Sequence, residues 1–314
     1  MPSYRLELLP PDIGRYRAGN RGIDYVTTLE SGTPGPHVLI NALTHGNELC
    51  GAVALDHLFK SGLKPAKGRI TLVFANVAAF RTFDPDNPGA ARYLDEDFNR
   101  LWDKATLEGP RRSSELDRAR RLKPIYESAD KLLDLHSMQH ATAPLMLIGL
   151  AAKTEAFARQ VGVPALMVRD KGHDAGPRLR DYAAFAAPEA PQVALLAECG
   201  QHWEKAAADV AIDSCWRFLA VSGVLEPARA AEIVARTPPP PKLISVTETV
   251  TIGTDDFRFT ADYRGLEVIP KAGSLIARDG KTEIRTPYDE CVLIMPSRRL
   301  GRGQTAVRLG RYSG

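Results

Sequence analysis

The 314-residue sequence has only four cysteines and no C-x-x-C pair. Cys50, Cys199, Cys215 and Cys291 are scattered, which argues against a disulfide framework and a thiolate metal site and fits a reducing compartment. Long apolar runs are missing too, since no stretch approaches the ~18 residues of a membrane span. The opening segment, MPSYRLELLPPDIGRYR, sets charges and prolines where a signal peptide needs an apolar core. A cytoplasmic protein with no membrane partner is therefore expected. Neither charge dominates: 41 Lys+Arg face 38 Asp+Glu, leaving no long-range field to gather polyanions, so nucleic acid is not an expected partner. The locally basic stretch from Arg298 to Arg311 alternates arginine with Gly, Leu and Val, and reads as a solvated face of C-terminal strands rather than an anion site. No internal repeat is apparent, and the oligomeric state, homo-oligomer included, stays open.

A hydrophobic content of 44% is enough for a sizeable core, and the length suits one large domain plus a smaller one. Apolar runs alternate with amphipathic stretches, beginning with a strand at His37 to Leu43 and a helix from Glu48 to Lys60. Further buried strands are expected at Arg69 to Ala75, Lys131 to Leu135, Pro144 to Ile148, Ala165 to Val168 and Gln192 to Ala197. That alternation predicts an α/β fold with a mostly parallel sheet flanked by helices. From Trp203 to Val221 one helical stripe carries Ala207, Val210, Ala211, Cys215, Phe218 and Leu219. The four prolines after Thr237 lack amide donors and fix φ, so the segment marks a stiff linker. The expected organisation is a catalytic α/β domain over 1–236, a linker over 237–242 and a small all-β domain over 243–314, with short β-rich runs at Ile244 to Ile252, Leu266 to Ile269 and Cys291 to Met295. The loop from Ala78 to Glu96 is long enough to suggest function.

The candidate chemistry sits at strand ends, where ligands bind in open α/β sheets. In Thr44-His45-Gly46-Asn47-Glu48 an imidazole and a carboxylate emerge within one turn. Alone, the pair reads equally as a surface histidine and a glutamate favoured by a helix N-terminus. A second buried strand, Leu132-Leu133-Asp134-Leu135-His136, ends on another histidine. His45, Glu48 and His136 then form a two-imidazole, one-carboxylate set that leaves zinc an open position for water, as hydrolytic sites require. Asp134, on the same strand face as His136, is placed to hold the ring nitrogen not on the metal, or else to cap nearby backbone. A third apolar strand, Val193 to Ala197, ends on Glu198, a candidate base for the attacking water and acid for the leaving amine, or else a helix-capping or salt-bridged carboxylate. In Arg92-Tyr93-Leu94-Asp95-Glu96-Asp97-Phe98-Asn99-Arg100 the arginines suit a carboxylate or an oxyanion, although such a loop can also be a surface ion cluster.

Together, His45-Gly46-Asn47-Glu48 followed by Gly51, the Arg92 to Arg100 segment, Asp134-Leu135-His136 and Glu198-Cys199-Gly200 resemble the succinylglutamate desuccinylase/aspartoacylase family, relatives of the zinc carboxypeptidases. The resemblance covers most of the chain. It implies a zinc carboxypeptidase-like α/β domain followed by a small β domain, Zn2+ on His45, Glu48 and His136, and Glu198 as general base and acid. It also implies that Arg92 polarises the scissile carbonyl while Asn99 and Arg100 bind the substrate α-carboxylate. The implied activity is hydrolysis of the amide bond of a small N-acyl amino acid. Aspartoacylase reads its substrate's side chain with a further arginine upstream of the catalytic glutamate, and Gly176-Pro177-Arg178-Leu179-Arg180 offers arginines there in a different surrounding pattern. Tyr288 is a candidate substrate contact from the β domain, or a tyrosine packing the domain interface. A zinc carboxypeptidase acting on peptide C-termini and a non-catalytic binding module on the same fold are the competing readings.

Overall fold

The computed structural model describes residues 4–173 and 175–313. The chain begins with strands β1 (Val26–Glu30) and β2 (His37–Ala42), then α1 (Leu49–Lys60), β3 (Arg69–Phe74) and the single turn α2 (Val77–Phe80). Helices α3 (Lys104–Glu108) and α4 (Ser114–Glu127) precede β4 (Lys131–Met138), β5 (Leu145–Ile148), α5 (Ala152–Val161) and β6 (Leu166–Arg169). After β7 (Val193–Gln201) come α6 (Lys205–Ser222) and α7 (Pro227–Ala235). The remainder is β8 (Lys242–Thr251), β9 (Phe257–Phe259), β10 (Val268–Ile269), β11 (Leu275–Asp279), β12 (Thr282–Arg285), β13 (Cys291–Ile294) and β14 (Thr305–Ser313).

The α/β architecture is the one the alternation predicts. Eleven strands form one sheet in the order β1-β3-β2-β4-β7-β5-β6-β8-β14-β13-β10. Strands β3, β2, β4 and β7 are parallel to one another, whereas β5 turns antiparallel to β7 and carries β6 and β8 in its own direction. Successive side chains point to opposite faces. On one face Ile40, Leu133, Leu195 and Ala197 pack with Leu55 of α1 and Phe218 of α6. On the other, Leu39, Leu132 and Ala194 meet Leu116 and Tyr126 of α4 together with Leu179. Burial on both faces is why these strands read as unbroken apolar runs.

Several boundaries move. Helix α1 starts at Leu49, and β4 and β7 run past His136 and Glu198 to Met138 and Gln201. The prolines from 238 to 241 belong to no helix or strand, yet the sheet continues across them, because β8 pairs with β6 from Leu166↔Lys242 to Arg169↔Ser245. The division at 237–242 thus falls between two strands of one sheet. A small sheet, β12-β11-β9, accompanies the C-terminal strands over a core that includes Val250, Ile276, Leu293 and Val307. Among the described residues no helix is long and apolar enough to cross a membrane.

Candidate active site

The first two ligand candidates emerge from a tight passage between β2 and α1. Leu43 takes a positive φ of 59°, and the chain then squeezes against α2. A Cβ on Gly46 would lie 2.4 Å from the Phe80 nitrogen and 2.5 Å from the Ala91 oxygen, so close backbone approach, not unusual φ, demands glycine here. Glu48 sits at the cap position of α1, but its side chain makes no capping bond. It turns inward instead. Its Oε1 lies 2.8 Å from His45 Nδ1, its Oε2 lies 3.0 Å from His136 Nδ1, and the Ser137 amide donates to Oε2 at 3.1 Å. One ligand atom from each of the three residues falls within 4.8 Å of the others, all buried, a set able to hold one metal ion.

Both rings are oriented the same way. Each presents Nδ1 to Glu48 while its Nε2 meets an aspartate, His45 with Asp97 at 2.9 Å and His136 with Asp134 at 2.8 Å. Asp134 is itself held: Asn41 Nδ2 and Thr44 Oγ1 donate to its Oδ1 at 2.7 and 2.9 Å, and the Tyr126 hydroxyl donates to Asn41 Oδ1 at 2.7 Å. Burial favours the neutral form of Glu48, but the two facing imidazoles outweigh it and hold the carboxyl well below its ordinary range. Burial likewise opposes protonation of His136, and Asp134 and Glu48 reverse that, raising it well above the usual imidazole value.

Glu198 is the direct cross-strand partner of His136 in the β4–β7 ladder. Burial pushes its carboxyl up to about 8, against the lowering influence of His136, and its Oε2 has no hydrogen-bond partner among the described residues. Arg92 reaches the same spot, donating to Glu48 Oε1 at 3.2 Å and to Asp97 Oδ2 at 3.1 Å. Its loop is clamped from α4, where the buried Glu115 carboxylate accepts the amides of Leu94, Asp95 and Glu96 at 2.7, 3.1 and 3.3 Å.

These groups line one cavity of about 270 Å³, together with Asn99 and Arg100. Asn99 Oδ1 accepts from the Leu179 amide at 2.8 Å, which fixes the orientation of its side-chain amide. Burial lowers Arg100 to about 10, with Asp97 opposing and Arg178 adding to the shift. Tyr288 is not brought to the cavity. Its hydroxyl lies 2.5 Å from Thr247 Oγ1 and its ring lies under Arg311, because β8 and β14 face that side of the tyrosine. The structure thus separates it from the other candidate substrate contacts.

Residues without an assigned role in the sequence complete the walls. Asp97 holds both His45 and Arg92, and its position inside the Arg92 to Arg100 motif was the available signal. Arg178 and Arg308 line the cavity and are 3% exposed. The expectation of a solvated basic tail therefore fails at Arg308: Ala306, Val307 and Leu309 around it are fully buried, and burial from Ala306 to Gly310 leaves that part of β14 no solvent face, whereas Arg311 beyond it is exposed. The lack of polar alternation in Ala306-Val307-Arg308-Leu309 is what could have marked it.

Comparison with known proteins adds the following. Residues 34–212 match the model of the succinylglutamate desuccinylase/aspartoacylase catalytic domain. An aspartoacylase of Xenopus tropicalis is 34% identical over 128 residues, which cover 36% of this chain and only 38% of that protein. A succinylglutamate desuccinylase structure from Vibrio parahaemolyticus superposes with a TM-score of 0.65 at 18% identity, covering 92% of this chain and 86% of its own. The ectoine utilization protein EutE (DoeB) of Ruegeria pomeroyi, solved with product bound, gives 0.62 at 18% identity over 91% and 88%. At such identities the structures speak to the fold.

Proposed function

The chain belongs to the succinylglutamate desuccinylase/aspartoacylase family, and from that premise we propose that it hydrolyses the amide bond of a small N-acyl amino acid with zinc held by His45, Glu48 and His136. The observation that carries this reading is the convergence of His45 Nδ1 and His136 Nδ1 on one carboxylate, with Glu198 beside them, its Oε2 without a partner among the described residues. The donor set fits zinc: two ring nitrogens, each held on its far side by an aspartate, and one carboxylate, with no cysteine. When bound in such a set, zinc acidifies a water and polarises a carbonyl.

The protein's own residues supply the rest. Glu198, buried and with no hydrogen-bond partner on Oε2 among the described residues, takes the proton of the attacking water and hands it to the leaving amine. Arg92, anchored by Glu48 and Asp97 in the same cavity, stabilises the negative charge that develops on the scissile carbonyl. Asn99 and Arg100 bind the α-carboxylate.

A peptidase acting on chain ends would use the same groups. The C-terminal residues Met295, Arg299 and Arg308 line the cavity, and a small volume bounded from that side favours a small substrate over a peptide. The test is amine release by the zinc-loaded protein from N-acetyl, N-succinyl and N-formyl amino acids beside C-terminal peptides. Release from peptides alone, or from nothing while zinc is bound, would reject the deacylase reading.

A further inference from the structure

Beside the triad the β4–β7 ladder is irregular. His136 pairs with Glu198, but the next pair is Met138 with Gln201, so β7 carries one extra residue, and Gly200 within that stretch takes a positive φ of 136°. Bulges of this kind re-aim side chains next to active sites. Just beyond it stands His202, whose amide donates to the Met138 carbonyl at 2.9 Å and whose buried side chain lines the cavity. The ring is held from the triad side. Its Nδ1 lies 2.9 Å from the hydroxyl of Ser137, the residue after His136, whose amide donates to Glu48 Oε2.

The surroundings assign the tautomer. Among the described residues Ser137 Oγ has no hydrogen-bond partner but His202, so the hydroxyl hydrogen goes to Nδ1 and the ring carries its own hydrogen on Nε2. No described residue accepts from that Nε2, which leaves the cavity as the place where an acceptor can meet it. Burial keeps the ring neutral, lowering it to about 3, opposed by Glu48 and assisted by Arg92, His45 and Arg299. Arg92, by contrast, already commits Nη1 to Glu48 and Nη2 to Asp97. An oxyanion formed in this cavity is stabilised best by a fixed donor with no other partner.

We infer that His202 is a catalytic residue whose Nε2–H donates to the oxygen of the scissile carbonyl as negative charge develops there, and that Ser137 is the positioning residue that fixes the tautomer. This rests on taking the cavity as the N-acyl amino acid site. A neutral imidazole polarises a carbonyl in this way without giving up its hydrogen. The proton traffic of the reaction stays with Glu198.

The first readout needs no turnover. In the zinc-loaded full chain, nitrogen-15 NMR of the His202 ring, assigned by its loss in a folded His202 variant, should show hydrogen on Nε2 and none on Nδ1. Kinetics follow on whichever N-acetyl, N-succinyl or N-formyl amino acid is hydrolysed fastest. His202→Phe should lower kcat about 10²- to 10³-fold while zinc content and KM stay near the parent's, because the bond is made only as the charge develops. His202→Asn keeps a partner for Ser137 but ends short of Nε2, and should lose as much. His202→Gln reaches that position with an amide donor and should lose far less. Hydrogen on Nδ1, or parent kcat in folded His202→Phe, overturns the role of His202, as does equal kcat in His202→Asn and His202→Gln if His202→Phe does not fold. A loss of kcat that tracks lost zinc marks a structural effect and overturns it too. No amine from any acyl amino acid, with the hydrogen found on Nε2, overturns the deacylase reading itself and the carbonyl role that depends on it.

Discussion

At the triad end of the cavity each imidazole nitrogen meets a carboxylate, and Asp134 and Glu48 receive further donors. At the arginine end, Arg178 and Arg308 share Asp170, Arg100 donates to the Asn99 carbonyl, and Arg178 Nη1 and Arg308 Nε have no hydrogen-bond partner among the described residues. The first region is organised by its own partners, each group held by another. The second carries more positive than negative charge among the described residues. The two should therefore fail differently when disturbed.

The sharpest way to break the contrast is at Glu198, which belongs to neither network. Glu198→Gln is expected to keep the metal and lose ~10² to 10⁴-fold in kcat. Near-parent turnover, with metal content measured alongside, would remove this residue from the chemistry. The same variant exposes the energetic consequence of burying Glu198. Its folded value, about 8, lies above its ordinary 4.5, so the stability it contributes is full below about 4.5 and is lost as pH rises toward 8. In metal-free protein, denaturation should find parent and variant nearly alike at pH 5. At pH 8 the parent should be the weaker, by on the order of a few kcal/mol. Equal stability at both pH values would show that Glu198 is solvated.

Smaller effects separate the two ends. Asp97→Asn and Asp134→Asn should each weaken zinc binding by about 10- to 100-fold, read by competition with a chelator. Asp97→Asn should in addition slow turnover at saturating zinc, because it also releases Arg92, whereas Asp134→Asn should recover. Arg100→Ala should leave zinc affinity unchanged and lower kcat/KM about ten- to a hundredfold for an N-acyl amino acid, with far less loss for its amide. Smallest of all, Tyr288→Phe should leave KM unchanged and stability within about 0.5 kcal/mol, since it lies off the cavity. A raised KM would return that tyrosine to the substrate.

The same contrast explains what could be read from the sequence. The triad end is written in short motifs at the ends of apolar strands, so His45, Glu48, His136 and Glu198 were all identifiable, and the structure brings them together. Strand and helix periodicity likewise identified β2, α1, β3, β4, β7 and α6, although β1, α4, α5 and α7 went unread because their apolar stripes are diluted by charge. At the arginine end only Arg100 lies in a motif, and Arg178 and Arg308 do not. Arg100, Arg178 and Arg308 meet only because the chain after β6 folds back and β14 lies in the same sheet. Such a meeting depends on topology, and no local spacing encodes it.

The polar chain beneath His136 has a further consequence for proton traffic. Tyr126 donates to Asn41, Asn41 and Thr44 donate to Asp134, and the Nε2 of His136 faces the same aspartate, so every hydrogen on this chain already points toward Asp134. A relay can pass a proton only if each member can both take one and give one up. Asn41 cannot, because an amide neither gains nor loses a proton near neutrality, and Tyr126 is held well above its ordinary value by burial. This chain behind His136 is therefore an insulator. On the proposed chemistry, the hydrogen for a departing amine is drawn from the cavity side, where Glu198 stands, and not through Asp134 from the protein interior.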